Sequence, residues 1–189
     1  MSENLQKYQN PNPIMKLVLR IFRKDLFNAL KGLDVDNIET ILDIGCGEGF
    51  VSIQLARLFP GAKIKAFDVS KDAIDYANIH NKRDNIDYYV ADAFKIRVPK
   101  VSLTTITEVL EHVKDPERIL DRMSKKSRYM LVSVPNRWFD RVNSLRGRRV
   151  EDHINEWSKH GITRIMSNYG KVLYSKRSTV WTIVLIEMD

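Results

Sequence analysis

Apolar positions along the chain recur with two different spacings, which predict an alternation of helices and strands. From Ile14 to Leu30 apolar residues return every three or four positions, which is typical of a helix with one buried face. The apolar run at 41–44 is too short for a helix and indicates a buried parallel strand. The predicted elements are helix 14–30, strand 41–44, helix 50–59, strand 64–68, a helix around 73–77, a strand with its exit at 87–93, strand 102–109, a helix from 116, strand 127–134, helix 162–169, and strands 171–176 and 179–188.

Small polar residues, proline and glycine mark the ends of these helices. Ser70 is the expected N-cap of the helix that follows it. Asp115, with Pro116 in the first turn, is the expected N-cap of the helix after the fourth strand. Gly170 is expected to cap the helix before the last two strands. Strands and helices in alternation predict an α/β fold.

A glycine-rich turn follows the first predicted strand. Gly45, Gly47 and Gly49 alternate with other residues, and a helical pattern begins at Phe50. Glycines let the backbone approach a ligand closely, and the N–H groups of the helix start point at it. A tight turn without a ligand needs fewer glycines, so the pattern favours a nucleotide-type site. Phe50 stands where a dinucleotide fingerprint has its third glycine, which argues against a pyrophosphate site.

Composition narrows the class of protein. The 189 residues suit a single domain, 1–189, with one core. A net charge of +7 favours an anionic partner such as RNA or an acidic metabolite, with a generally basic surface as the alternative. The one cysteine, Cys46, excludes an internal disulfide and is interpreted as a small packing residue. Charges interrupt helix 14–30 and no signal-peptide pattern precedes it, so a cytoplasmic protein that spans no membrane is expected.

The sequence Asp43-Ile44-Gly45-Cys46-Gly47-Glu48-Gly49 resembles motif I of the class I S-adenosylmethionine (SAM) dependent methyltransferases, where an acidic residue precedes Gly-x-Gly-x-Gly. The resemblance implies a Rossmann-like sheet of seven strands in the order 3-2-1-4-5-7-6, the last antiparallel, with helices on both faces. It also implies that Asp43 lies near the methionine amino group of SAM, and that the three glycines and Cys46 line the cofactor.

Two further aspartates are expected to bind the same cofactor. Asp68 lies nineteen residues after Gly49 at the end of the second strand, where a carboxylate can accept hydrogen bonds from a ribose diol. The alternative role, a helix N-cap, is already filled by Ser70. The resemblance implies that Asp92 receives the adenine amino group and that the Ala93 amide meets a ring nitrogen, with an ordinary loop carboxylate as the alternative for Asp92. It assigns two more residues to the cofactor, Val69 and Glu108.

These residues are predicted to meet at one place. In an open α/β sheet the carboxyl ends of parallel strands share an edge, and ligands bind there. Gly45, Asp68, Asp92 and Glu108 follow four consecutive predicted strands. The sequence therefore predicts a cofactor site along this edge.

The segment Glu108-Val109-Leu110-Glu111-His112 is the candidate for the chemistry. An oxygen acceptor loses a proton on methylation, and imidazoles titrate near neutral pH, so His112 is the candidate base. The pattern Glu-x-x-Glu-His also resembles the ubiquinone-pathway O-methyltransferases and the small-RNA 3′-terminal 2′-O-methyltransferases. In the RNA enzymes the two glutamates, this histidine and a later one hold a divalent metal.

The run Asp152-His153-Ile154-Asn155-Glu156-Trp157 resembles the later element of the RNA enzymes. This resemblance implies four ligands suited to Mg²⁺, Mn²⁺ or Zn²⁺, namely Glu108, Glu111, His112 and His153. If no metal is bound, Glu108 lines the cofactor, and Glu111 and His112 cap the next helix. Both interpretations remain open at this point.

The sequence thus predicts a SAM-dependent methyltransferase, with the hydroxyl group of a small molecule as the preferred acceptor. The alternatives are a metal-dependent RNA 2′-O-methyltransferase, an NAD(P)-dependent oxidoreductase, and a non-catalytic subunit that binds SAM or RNA. Residues 1–33 are expected to form an N-terminal helix or lid, and residues 136–159 an insertion that shapes the acceptor site. Five arginines suit this insertion to an anionic acceptor, with a solvated basic loop as the alternative: Arg137, Arg141, Arg146, Arg148 and Arg149.

Overall fold

A computed structural model of the chain describes residues 12–136, 154–178 and 180–188. In these ranges seven strands form one sheet. They are β1 (Thr40–Ile44), β2 (Lys63–Asp68), β3 (Ile86–Val90), β4 (Val101–Thr107), β5 (Ser127–Pro135), β6 (Gly170–Arg177) and β7 (Trp181–Met188). Their order is β3-β2-β1-β4-β5-β7-β6. Strands β1 to β5 are parallel and β7 is antiparallel to both neighbours, which confirms the predicted topology.

Helices connect the strands, and those described begin within about two residues of the predicted starts except the last, which begins at Lys159 rather than Ile162. The described helices are α1 (Pro13–Leu30), α2 (Phe50–Leu58), α3 (Lys71–His80), α4 (Pro116–Ser124) and α5 (Lys159–Ser167), with 3₁₀ turns at Val35–Asn37 and Leu110–His112. The Ser70 hydroxyl caps α3 by accepting from the Ala73 amide at 3.3 Å. The Asp115 carboxylate caps α4 by accepting from the Arg118 amide at 3.2 Å. Both predicted N-caps are confirmed.

The helices cover both faces of the sheet, because successive residues of a strand point to opposite sides. In β1, Ile41 packs into one core and Leu42 into the other. The first core holds side chains of α1, α2 and α3, and the second holds those of α4 and α5. Burial on both faces explains the nearly continuous apolar runs of these strands.

Strand β4 ends two residues earlier than predicted. Its last residue is Thr107 rather than Val109, because Glu108 adopts a left-handed backbone with a φ angle of 56°. A non-glycine residue in this region is uncommon, and such residues concentrate at functional sites. The turn leaves Glu108 at the carboxyl edge of the sheet.

Gly170 does not cap a helix as predicted. Helix α5 already ends at Ser167, and Gly170 is the first residue of β6. A Cβ at this position would collide with the backbone of Glu187 in β7. The glycine therefore permits a close approach of two strands.

Helix α1 lies beside the antiparallel strands. The rings of Phe22 and Trp181 pack with their centroids 4.6 Å apart. Trp181 pairs with Pro135 at the carboxyl end of β5, so the turns of α1 before Phe22 extend toward the edge where the parallel strands end. Closer to the middle of the sheet, Lys176 Nζ donates to Oδ1 of the buried Asp25 at 2.6 Å. No helix in the described ranges has both the length and the apolar character that crossing a membrane requires.

Candidate functional site

The loop between β1 and α2 has a backbone that favours glycine. Gly45, Gly47 and Gly49 have positive φ angles of 65°, 51° and 80°. A Cβ at Gly45 would collide with Val109, and one at Gly49 with the hydroxyl group of Tyr88. Because Gly49 is the N-cap of α2, no capping side chain covers the first amides of the helix. The loop thus offers room and N–H groups to a ligand.

Asp68, at the end of β2, holds this loop in place. Its Oδ2 accepts from the Gly47 amide and its Oδ1 from the Ser70 amide, each at 2.9 Å. A carboxylate has about four acceptor sites, so about two remain for a ligand. The Ala91 amide donates to the Asp68 carbonyl at 2.9 Å and ties the ends of β2 and β3 together. The expected ribose contact of Asp68 stays a prediction.

Asp43 lies beneath the loop. Its side chain is fully buried, and its oxygens accept from the hydroxyl groups of Ser52 at 2.5 Å and Thr105 at 2.7 Å. Burial raises the pKa of Asp43 to about 6, although the two hydroxyl donors lower it. Asp43 therefore links β1 to α2 and β4, and its expected position near a methionine amino group stays a prediction.

Cys46 is buried within the same loop. Burial, followed by the charges of Asp43 and Asp68, raises the pKa of its thiol above the usual range. A thiol that stays protonated is a poor nucleophile. The environment agrees with the interpretation of Cys46 as a packing residue.

Asp92 holds the tight turn after β3 through hydrogen bonds. Its Oδ1 accepts from the Phe94 amide at 2.8 Å, and its carbonyl accepts from the amides of Lys95 and Ile96 at 3.0 Å. Its Oδ2 lies 3.5 Å from Nζ of the exposed Lys95. The interaction with Lys95 is worth little in water, so Oδ2 can accept from a ligand.

Two branched apolar side chains stand exposed at the ends of β2 and β3. Val69 is 72% exposed and Val90 is 51% exposed. They suit a flat apolar ligand group at this edge. Val69 was predicted from the sequence to lie at the site, whereas Val90 was not, although an apolar residue at the carboxyl end of a strand is a signal for it.

Tyr88 and Asn81, which were not predicted from the sequence, stabilise the glycine loop through hydrogen bonds. The Tyr88 hydroxyl donates to the Asn81 carbonyl at 3.1 Å, and burial raises the pKa of Tyr88 so that it stays a donor. Asn81 Nδ2 donates to the Glu48 carbonyl at 2.7 Å. No pattern marks these residues, because their partners are carbonyl groups that every residue has.

The predicted catalytic segment follows β4 at the same edge. Glu108 is half-buried. In the 3₁₀ turn that follows, Glu111 is buried and His112 is exposed. Asp115 caps α4, so the expectation that Glu111 and His112 cap this helix is wrong.

The late element packs onto this 3₁₀ turn. The amides of Ile154 and Asn155 donate to the Glu111 carbonyl at 2.7 and 3.2 Å. Asn155 Nδ2 donates to the carbonyls of Leu110 at 3.1 Å and Val113 at 2.7 Å. Asn155, another residue that the sequence analysis missed, thus fixes the chain after residue 153 to the turn.

The described residues do not form a metal site among themselves. No three of their acidic, histidine or cysteine side chains could hold an ion together, and this applies to Glu108, Glu111 and His112. Several predicted residues lie outside the described ranges: Asp152, His153, Arg137, Arg141, Arg146, Arg148 and Arg149.

The fold and the site define the class of this protein. The strand order, the glycine loop after β1 and the acidic residues after β2 and β3 are those of the class I SAM-dependent methyltransferases. The model of the methyltransferase domain family matches residues 6–175. The chain belongs to this family.

Known proteins agree with this assignment. The ubiquinone biosynthesis O-methyltransferase of Cupriavidus pinatubonensis is 36% identical over 105 residues, which are 51% of this chain and 41% of that protein. The structure of human N-acetylserotonin methyltransferase in complex with SAM has a TM-score of 0.70 and 19% identity, and covers 88% of this chain and 51% of that one. A Pyrococcus horikoshii protein has a TM-score of 0.75 and 14% identity over 100% of both chains. The two structures show the shared fold.

Proposed function

We propose that the protein binds SAM at the carboxyl edge of its sheet and transfers the methyl group to a hydroxyl group of a small molecule. One observation carries the proposal. Hydrogen bonds from the Gly47 and Ala91 amides to Asp68 join the glycine loop, the end of β2 and the exit of β3 at that edge. Open α/β sheets bind ligands there.

The acidic side chains would bind the nucleoside. The acceptor sites of the Asp68 carboxylate that the Gly47 and Ser70 amides leave open would receive the ribose hydroxyl groups. Oδ2 of Asp92 would accept from the adenine amino group, and the Ala93 amide would donate to a ring nitrogen. The exposed side chains of Val69 and Val90 would contact the ring.

The glycine loop would hold the methionine end of SAM. The lining residues would be Gly45, Cys46, Gly47, Gly49 and Glu108. Because the Asp43 side chain is fully buried beneath the loop, we expect its charge to favour the cationic groups of SAM through space. The first amides of α2 suit a carboxylate.

Bound SAM supplies an electrophilic methyl group, and the protein has to place the acceptor oxygen in line with it. Orientation of this kind contributes about 7–11 kcal/mol to catalysis. His112, exposed on the turn after β4, is the proposed base for the acceptor proton.

The acceptor would lie under the N-terminal helix. Ile14 and Leu17 are 72% and 54% exposed in the turns of α1 that extend toward the site edge. Residues 1–33 would then act as a lid to which Ile14 and Leu17 contribute apolar surface, and the insertion at 136–159 would shape the acceptor site, so that the whole chain, 1–189, works as one domain. The name of the bacterial relative supports oxygen as the methylated atom, although this chain spans less than half of that protein.

The other functions considered from the sequence are less well supported. An NAD(P)-dependent oxidoreductase disagrees with the family match over residues 6–175. A non-catalytic SAM- or RNA-binding subunit is favoured only by the net charge of +7, which suits an acidic metabolite equally well. A metal-dependent RNA 2′-O-methyltransferase is less well supported, because Glu108, Glu111 and His112 do not form a metal site with one another in the described ranges.

Calorimetry tests the cofactor and radiolabelling tests the acceptor. SAM and S-adenosylhomocysteine (SAH) should bind, whereas NAD should not, and NAD binding without SAM binding would refute the proposal. With tritiated-methyl SAM and fractionated cell extract, label should enter a small-molecule fraction and survive RNase treatment. Label that RNase releases would identify RNA as the acceptor instead.

A further inference from the structure

We propose that Arg122 is a positioning residue. It would hold the turn after β3 in the conformation that binds adenine, without touching the cofactor. This inference rests on the proposed function, because it concerns how Asp92 and Ala93 are held for binding. Its basis is a contact between α4 and the turn after β3. Neither resemblance noted in the sequence assigns Arg122 a role.

The guanidinium group of Arg122 donates hydrogen bonds to two carbonyl groups of the turn. Nη1 donates to the Phe94 carbonyl at 2.7 Å and Nη2 to the Ile96 carbonyl at 2.5 Å. The fixed fork of arginine suits this two-point contact, which lysine cannot reproduce. Arg118, one turn earlier in α4, places its guanidinium 5.3 Å from the centre of the Phe94 ring.

Asp92 holds the same turn from the inside. The Phe94 amide donates to its carboxylate and the Ile96 amide to its carbonyl. Phe94 and Ile96 therefore each bond to Asp92 through N–H and to Arg122 through C=O. The two contacts together fix the orientation of the Asp92 carboxylate and of the Ala93 peptide between them.

The fold itself does not depend on Arg122. Helix α4 is anchored by the fully buried side chains of Ile119, Leu120 and Met123, and Asp115 caps it. By contrast, residues 91–100 form no helix or strand, so the turn depends on such side-chain contacts for its shape. Loss of Arg122 should therefore loosen the turn more than it destabilises the protein.

Calorimetry on Arg122→Met tests the proposal, with Arg164→Met on the exposed surface of α5 as the matched control. The probes are SAH and S-inosylhomocysteine, in which a carbonyl oxygen replaces the adenine amino group. Arg122→Met should weaken SAH binding about tenfold and leave the weaker binding of the inosyl analogue nearly unchanged. Equal loss for both ligands, or no loss for SAH, would overturn the proposal.

A double-mutant cycle with Asp92→Ala separates positioning from general damage. If Arg122 acts through Asp92, adding Arg122→Met to Asp92→Ala should cost little further SAH affinity, whereas additive losses would overturn the proposal. If Arg122→Met does not fold, Arg122→Lys carries the same test, since it keeps the charge but loses the fork. A wild-type protein that fails to bind SAH, or binds both ligands equally, would refute the proposed cofactor site itself.

Discussion

The amide of Gly47 donates to the carboxylate of Asp68 across 2.9 Å, which joins the glycine loop to a strand end twenty-one residues later. Asp68→Ala removes this bond and the acceptors proposed for the ribose. We expect SAH affinity to fall by about 1.5–3 kcal/mol for each charge-assisted hydrogen bond lost. Calorimetry measures this loss. Asp87→Ala, an exposed carboxylate of β3, is the matched control, and equal binding by the two variants would contradict the assignment.

The buried carboxylate of Asp43 should make stability depend on pH. Folding raises its pKa from 3.8 to about 6, so the folded protein holds a proton that the unfolded chain has already lost. As pH rises from about 4 to about 6, the free energy of unfolding should therefore fall by on the order of 3 kcal/mol from this group. Above this window the loss is complete and constant.

Asp43→Asn isolates this effect, because an amide can still bond to the hydroxyl groups of Ser52 and Thr105. The stability of the variant relative to wild type should increase between pH 4.5 and pH 7. Urea unfolding at both values measures the difference, and many other titrating groups cancel in the comparison. A difference that does not change with pH would show that Asp43 is ionised equally easily in both states.

Removal of the proposed base should affect the chemical step and spare the cofactor. His112→Ala should lower kcat by about 10²–10⁴-fold, the usual contribution of general acid–base catalysis, with SAH affinity unchanged. His160→Ala, an exposed imidazole at the start of α5, is the control. An unchanged kcat in His112→Ala would leave catalysis to orientation alone.

Chelation distinguishes general-base catalysis by His112 from activation of the acceptor hydroxyl by a bound metal. If His112 is the proposed general base, EDTA should leave methyl transfer unchanged. His153→Ala should then also retain activity. Activity that stops in EDTA, returns with Mg²⁺ or Mn²⁺ and is lost in His153→Ala would instead establish a metal, since a site that misses one ligand loses affinity and geometry.

The insertion at 136–159 should affect binding of the acceptor and not binding of SAM. Charge reversal at Arg148 and Arg149, which lie outside the described residues, should raise the KM of an anionic acceptor and leave SAM affinity unchanged. Steady-state kinetics and calorimetry together measure the two effects. Equal loss of SAM affinity would place these arginines on the cofactor side.

Local signals in the sequence predicted much of the fold and part of the site. The caps at Ser70 and Asp115 are confirmed, because capping depends on a side chain and amides only two or three residues away. The glycine turn after β1 was also predicted from local sequence, and the structure adds that all three of its glycines have positive φ angles. Strand order followed from the resemblance rather than from local pattern.

Long-range contacts with backbone carbonyls could not be predicted. Arg122, Asn155 and Asn81 each donate to carbonyl groups of distant segments, and carbonyls are the same in every residue. Gly170 was misread because a glycine near a helix end can equally serve a close strand contact. The left-handed turn at Glu108 has no signature, since glutamate seldom adopts it.

The ion pair between Lys176 and Asp25 joins residues 151 positions apart and has a consequence for biosynthesis. Asp25 leaves the ribosome long before its partner exists, and so does Phe22, which packs on Trp181. Until β6 and β7 have been made, α1 exposes an apolar face and an acidic side chain to water. We therefore expect residues 13–30 to be accessible to chaperones and proteases for most of translation, and arrest before the final hairpin should leave this segment open to cleavage.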